Sequence, residues 1–193
     1  FADELVRAGG EVVSRLKFSS VSQPDFASLL GQLRASGAQG VLIVASARDT
    51  AQIAQQIRLL GWPIPIFSSG WAQTEALIHN GGRAVEGILM VADYDSNSKA
   101  PTLQEFRRLF RERYNRVPTF AAAQAYEAVM VLAAALRRTG GSKKGLKKAL
   151  LATKGFPGLV GEISLDRFGD VQRTKFLLTI SDGAFKTLAH LQR

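Results

Sequence analysis

Cysteine is absent from this chain, and histidine occurs only at positions 79 and 190. Without thiols there can be no disulfide, no zinc–thiolate site and no cysteine nucleophile. Neither His79 nor His190 has a second imidazole at ligand spacing, so no metal centre is expected. The GxSxG, HExxH, Walker phosphate-loop and GxGxxG patterns are also missing. Asp93, Asp95, Asp166, Asp170 and Asp182 all lie in or near loops, where hydrogen bonding within turns accounts for them. A hydrolase built on Ser46 or Ser69 would need an imidazole base that no pattern supplies, so neither catalysis nor a cofactor is expected. No stretch approaches the roughly 20 uninterrupted apolar residues of a membrane span. The N-terminus lacks the basic, apolar, small-residue order of a signal peptide.

Acid is missing locally. Between Glu127 and Glu162 there is no carboxylate, while Arg137, Arg138, Lys143, Lys144, Lys147, Lys148 and Lys154 fall in that window of a chain whose net charge is +9. The lysines fit the solvent face of a short helix whose apolar side is Leu146, Ala149 and Leu150. No aromatic residue interleaves with them, so a nucleic-acid partner is not expected. Over 193 residues, 46% hydrophobic and 21% charged side chains suffice for a buried core, as one domain or two small lobes.

What is present is organised around residues 37–71, GAQGVLIVASARDTAQIAQQIRLLGWPIPIFSSGW. Residues 40–45 form a β-branched, apolar run, as in a strand covered on both faces. Ser46 supplies an N-cap oxygen, with Asp49 at the capping-box position. Ile53, Ile57 and Leu60 stripe the following helix, Gly61 ends it, and Ile64, Ile66 and Phe67 make the next strand. In such a strand–helix–strand unit, ligands bind beyond the carboxyl ends of the strands. The candidate binding residues are therefore Ser46, Ala47, Ser68, Ser69, Gly70 and Trp71.

Upstream, residues 1–8 are helical without a start methionine or cap, as expected of a segment of a longer protein. Residues 11–18 are a strand candidate, and Ser22-Gln23-Pro24-Asp25 open a helix striped by Phe26, Leu29, Leu30 and Leu33. Downstream come a short helix over 74–79 and a strand over 85–91. The polar loop 93–101, DYDSNSKAP, is the best linker. Thr102 and Glu105 form a capping-box pattern before a helix to Tyr114. A long alanine-rich helix then spans 120–138, and a third helix spans 143–152. Residues 155–193 read as consecutive strands with turns at Phe168-Gly169-Asp170 and Ser181-Asp182-Gly183.

The order of these elements, with the phrases at 37–71, EGILMVADY, FRRLFRERYNRVPTFAAAQAYEAVMVLAAALRRTG and GLVGEISLDRFGDVQ, resembles the C-terminal part of a periplasmic substrate-binding protein of the leucine/isoleucine/valine-binding type, which serves ABC transporters. The resemblance implies a type I periplasmic-binding-protein fold: a parallel-sheet, Rossmann-like α/β lobe plus a helical block from the other lobe. Residues 1–92 would form the second lobe, 93–101 a linker, 102–154 helices packing on the first lobe, and 155–193 a β tail returning to the second. Most of the first lobe would lie upstream. Ser46 and Gly70 fall where relatives carry an aromatic residue and the acid that pairs with the ligand's ammonium. Trp71 offers a flat wall instead, Phe120 is a further cleft candidate, and Glu75 or Asp95 could replace the acid. The resemblance implies a small-molecule partner, amino-acid-like or aromatic, and a membrane permease, in a periplasmic or extracellular setting. A ligand-sensing domain of a signalling receptor is the alternative. The isolated segment is expected to self-associate through its unpartnered helices.

Overall fold

The computed structural model describes residues 1–22 and 24–191, which leaves Gln23 of the expected helix start outside the described residues. The chain divides into two compact units, residues 1–90 with 179–184, and residues 91–178 with the chain from Phe185.

The first unit runs α1 (Ala2–Arg7), α2 (Phe26–Ala35), β1 (Val41–Ile43), α3 (Ala47–Leu59), β2 (Ile66–Ser69) and α4 (Glu75–Gly81), and leads into β3 (Leu89–Ala92). Asp25 caps α2 by accepting the Ser28 N–H at 3.1 Å. Of the expected α3 stripe, Ile53 and Ile57 are buried together with Ala54, whereas Leu60 caps the helix end and is exposed. Beyond Leu59 the chain turns back through Trp62 N–H to Ile57 O at 3.2 Å and Gly61 N–H to Arg58 O at 3.0 Å, the bond pattern of a Schellman close. β1 and β2 are parallel, with Val41 beside Ile66 and Ile43 beside Ser68.

Three expectations are corrected here. Residues 11–18 alternate in burial, yet they form no strand. Period-two burial sets which side chains face inward, but a strand also needs a bonded neighbour to complete its ladder, and residues 11–18 are not among the strands of either described sheet, in the larger of which β1 is terminal. The strand expected over 85–91 shortens to β3, because residues 82–85 make a 3-10 turn and Gly87 has φ +76°. Nor is β1 covered on both faces: Leu42, Val44 and Phe67 are exposed, opposite the buried Val41, Ile43 and Ile66.

The second unit holds α5 (Pro101–Tyr114), α6 (Phe120–Arg138), α7 (Leu146–Leu151), and the strands β4 (Phe156–Gly158), β5 (Gly161–Leu165) and β6 (Val171–Gln172) as a separate antiparallel sheet. β7 (Lys175–Ser181) and β8 (Ala184–Leu191) follow, in a sheet ordered β1-β2-β3-β7-β8. Their turn has Asp182 and Gly183 at φ +55° and +68°, as a two-residue type I′ hairpin requires. Within the first unit, Glu86 holds that turn by accepting both of its amides, at 3.0 and 2.8 Å.

The Thr102–Glu105 capping box does not form. Ala100 is the N-cap and Pro101 the first helical residue, a position that suits proline because its missing N–H has no partner there anyway. Thr102 instead donates to Leu159 O at 2.9 Å, and Glu105 pairs with Arg108 at 2.7 Å. The expected linker is also tied down. Asp95 is buried and accepts from Asn97 N–H and the Thr187 hydroxyl, both at 2.8 Å, while Arg107 donates to Ser96 O at 2.8 Å. Among the described residues α6 is the one helix long and apolar enough to cross a membrane by length and composition. Its Glu127 is buried nonetheless, paired with Arg173 at 2.7 Å and accepting Leu159 N–H at 2.7 Å.

Candidate functional site

Because β1 and β2 are parallel, their carboxyl ends open at one edge. At the first, Ser46 takes an extended conformation (φ −63°, ψ 161°), and its Oγ accepts the Asp49 N–H at 3.2 Å. The same hydroxyl donates to Asp49 Oδ2 at 2.8 Å. The sequence thus builds a reciprocal cap at the start of α3, with Ala47 buried behind it. Asp49 Oδ2 also receives the Ser20 hydroxyl at 2.7 Å. Ser20, Ser46 and Asp49, with Leu16, Phe18 and Ala45, line an open cavity of about 320 Å³ at the end of β1.

At the second strand end, Ser68 is buried and donates to Ser69 O at 3.3 Å. The Ser69 hydroxyl is shut off from solvent without a hydrogen-bond partner, as is that of Thr74 just beyond. An unpaired buried hydroxyl costs about 1–3 kcal/mol, so such groups stand out where a binding surface is sought. Gly70 opens a 3-10 turn over Gly70–Ala72 that buries Ala72 and turns Trp71 outward, leaving the indole 74% exposed.

Ser46, Ala47, Ser69, Gly70 and Trp71 therefore share one unit and one sheet edge. Phe120 lies in the other unit, half-buried against the cluster of Tyr94, Leu103, Ala123 and Leu159. Of the two acids considered as replacements, Asp95 is committed to its own loop and to Thr187 of β8, whereas Glu75 is exposed in the first turn of α4. Sequence reasoning missed Ser20, which reaches Asp49 from 29 residues away with no local signal to mark it. No cluster of three metal-ligating side chains occurs among the described residues.

Two units, a parallel β1–β2 pair and serines at its carboxyl edge make up an α/β architecture. The chain belongs to the periplasmic binding protein family, whose model matches residues 1–184. It is similar to the leucine binding protein LivK of Thermotoga maritima MSB8 at 28% identity and a TM-score of 0.86, covering 98% of this chain and 54% of that one. It shares the fold of an R. palustris ABC-transporter solute binding protein in complex with benzoate, at 23% identity and TM-score 0.81 over 98% of this chain and 53% of that one. It also shares the fold of the branched-chain amino acid transporter substrate binding protein LivJ of Streptococcus pneumoniae in complex with isoleucine, at 22% and 0.74 over 97% and 54%. The chain thus spans about half the length of the solved proteins it matches. No curated protein sequence matches it.

Proposed function

We propose that this chain supplies one wall of the ligand site in a non-catalytic substrate receptor of an ABC transporter. The ligand, a small amino-acid-like or aromatic molecule, lies against the carboxyl ends of β1 and β2, touching Ser46, Ala47, Ser69, Gly70 and Trp71. A second lobe closes over it by hinge motion, and the closed form engages a membrane permease from the periplasmic or extracellular side. Phe120 contributes from the helical block. Alone, the segment self-associates and holds ligand weakly.

Trp71 carries this reading. The indole is exposed over most of its surface and, two residues before it, the Ser69 hydroxyl is buried without a partner, so a flat ligand covering Trp71 removes apolar surface from water. With Ser46 and Gly70 in place of the relatives' aromatic residue and acid, a stacked apolar or aromatic group replaces part of the ammonium recognition.

The test is tryptophan fluorescence of the intact two-lobed protein, titrated with branched-chain amino acids and with benzoate-like acids. We expect a ligand-dependent change that Trp71→Phe removes and Trp62→Phe leaves in place. A saturable ligand whose affinity is untouched by Trp71→Ala overturns the site.

A further inference from the structure

Most of the net positive charge of this chain comes from one stretch. With 25 basic and 16 acidic residues the net charge is +9. The seven cations from Arg137 to Lys154, with no acid among them, account for +7 of it (25 − 7 leaves 18 bases against 16 acids, or +2). The structure gathers them at one corner of the second unit. Arg137 and Arg138 end α6, Lys143 and Lys144 sit in the connection, Lys147 and Lys148 lie on α7, and Lys154 follows it, all exposed. Arg138 pins the corner by donating to Ala149 O at 3.2 Å, and Lys154 bonds Leu165 O. Leu146, Ala149 and Leu150 are half-buried, so the exposed positions of α7 are its lysines.

The chemistry of the patch selects its partner. From 127 to 155 there is no Phe, Tyr or Trp; the exposed Phe168 stands beside the corner, in the turn whose Gly169 meets Leu151, but a single ring already carrying Arg167 at 4.6 Å offers bases no stacking platform. Protein interfaces favour aromatic, Met and Arg side chains and deplete Lys at their centres. Five of these seven cations are lysines, which are hydrated, mobile point charges suited to a diffuse, fluid array of anions. A bilayer rich in anionic phospholipid is such a surface, attracting each nearby basic residue independently. We propose that the α6–α7 corner is an electrostatic docking surface for an anionic membrane, holding this unit at the bilayer without inserting into it. This goes beyond ligand binding and does not depend on the ligand.

The test is co-sedimentation of the chain with vesicles of phosphatidylcholine alone and of phosphatidylcholine with phosphatidylglycerol. Binding is expected to the anionic vesicles only and to vanish as ionic strength rises toward about 1 M. Replacing Lys143, Lys144, Lys147 and Lys148 by Glu, all exposed and free of side-chain bonds that hold the fold, should weaken it about a hundredfold or more. Reversing Arg15, Arg83, Lys99 and Arg116 makes the same change in net charge elsewhere and should weaken it far less. Circular dichroism confirms that both variants are folded. Equal loss in the two variants, or no binding to anionic vesicles at low salt, overturns the proposal. Retention on polyglutamate without vesicle binding overturns it in favour of an acidic protein.

Discussion

Ser46 is the residue where local chemistry and the candidate site coincide. Its hydroxyl accepts the Asp49 amide and donates to the Asp49 carboxylate, so removing it strips α3 of its cap. Ser46→Ala should cost about 0.5–2 kcal/mol in chemical denaturation, and an unchanged midpoint would show that the cap contributes nothing. Asp166 plays the comparable part in the turn between β5 and β6. Its Oδ1 accepts the amides of Asp170 at 2.9 Å and Phe168 at 2.8 Å. The Asp170 amide above all, then those of Phe168 and Gly169 and the charge of Lys154, hold its carboxyl below the usual range against a smaller opposing effect of desolvation. A depressed folded pKa means the turn's contribution is complete above the unfolded value of about 4 and fades as pH falls through the folded one. Asp166→Asn should therefore lower stability at neutral pH, with the gap from the parent closing in acid. A gap that stays constant down to strongly acid pH would refute the assignment.

At the scale of elements, a buried polar knot ties α6 to the β4–β5 hairpin and to Arg173. Glu127 and Arg173 are both buried, bonded at 2.7 and 3.2 Å, and the same carboxylate takes the Leu159 amide. A Cβ on Gly158 would lie 2.8 Å from Glu127 Oε1 and 2.7 Å from Gly161 O, so the helix and the hairpin meet without room for a side chain. Glu127→Ala strands a buried guanidinium and should cost about 3–5 kcal/mol. Adding Arg173→Met should recover much of that loss, and no recovery would mean the cost is packing alone. None of this knot was legible in the sequence, because its partners stand 46 and 32 residues apart. What was legible is local. The α3 cap, the Ile53 and Ile57 stripe of α3, the half-buried Leu146 and Leu150 of α7 and the Asp182-Gly183 turn follow from spacing over a few residues. Residues 11–18 show the limit, since their alternation was readable but the absence of a paired neighbour was not. Thr102 misled because a capping pattern and a proline at the first helical position competed, and the proline's fixed φ won.

For the whole molecule, the decisive fact is apolar surface left in water. Phe106, Phe110, Tyr114 and Tyr126 make a chain of ring contacts with centroids 4.7–5.7 Å apart along α5 and α6. With Leu109, Met130 and Pro157 they line an open groove of about 640 Å³. Further along α6, Val129 is 63% exposed and Leu132 40%. Patches above about 300–600 Å² are unusual on monomers, and covering a few hundred Å² at roughly 25 cal/mol per Å² contributes several kcal/mol. That is a large share of the roughly 5–15 kcal/mol holding a domain folded. The expectation for this chain in isolation is a dimer in which the α5–α6 grooves of two copies cover one another, the symmetric arrangement a self-complementary face favours. Sedimentation velocity across micromolar concentrations should show a concentration-dependent shift, and Leu109→Glu with Met130→Glu, both in the groove, should abolish it while leaving helicity intact. A monomer with both helices folded at every concentration would refute the pairing. On the proposed site, which needs a second lobe to close it, the same preparation should bind amino acids and aromatic acids weakly. A tight stoichiometric complex would show that the carboxyl edge of β1 and β2 is sufficient by itself.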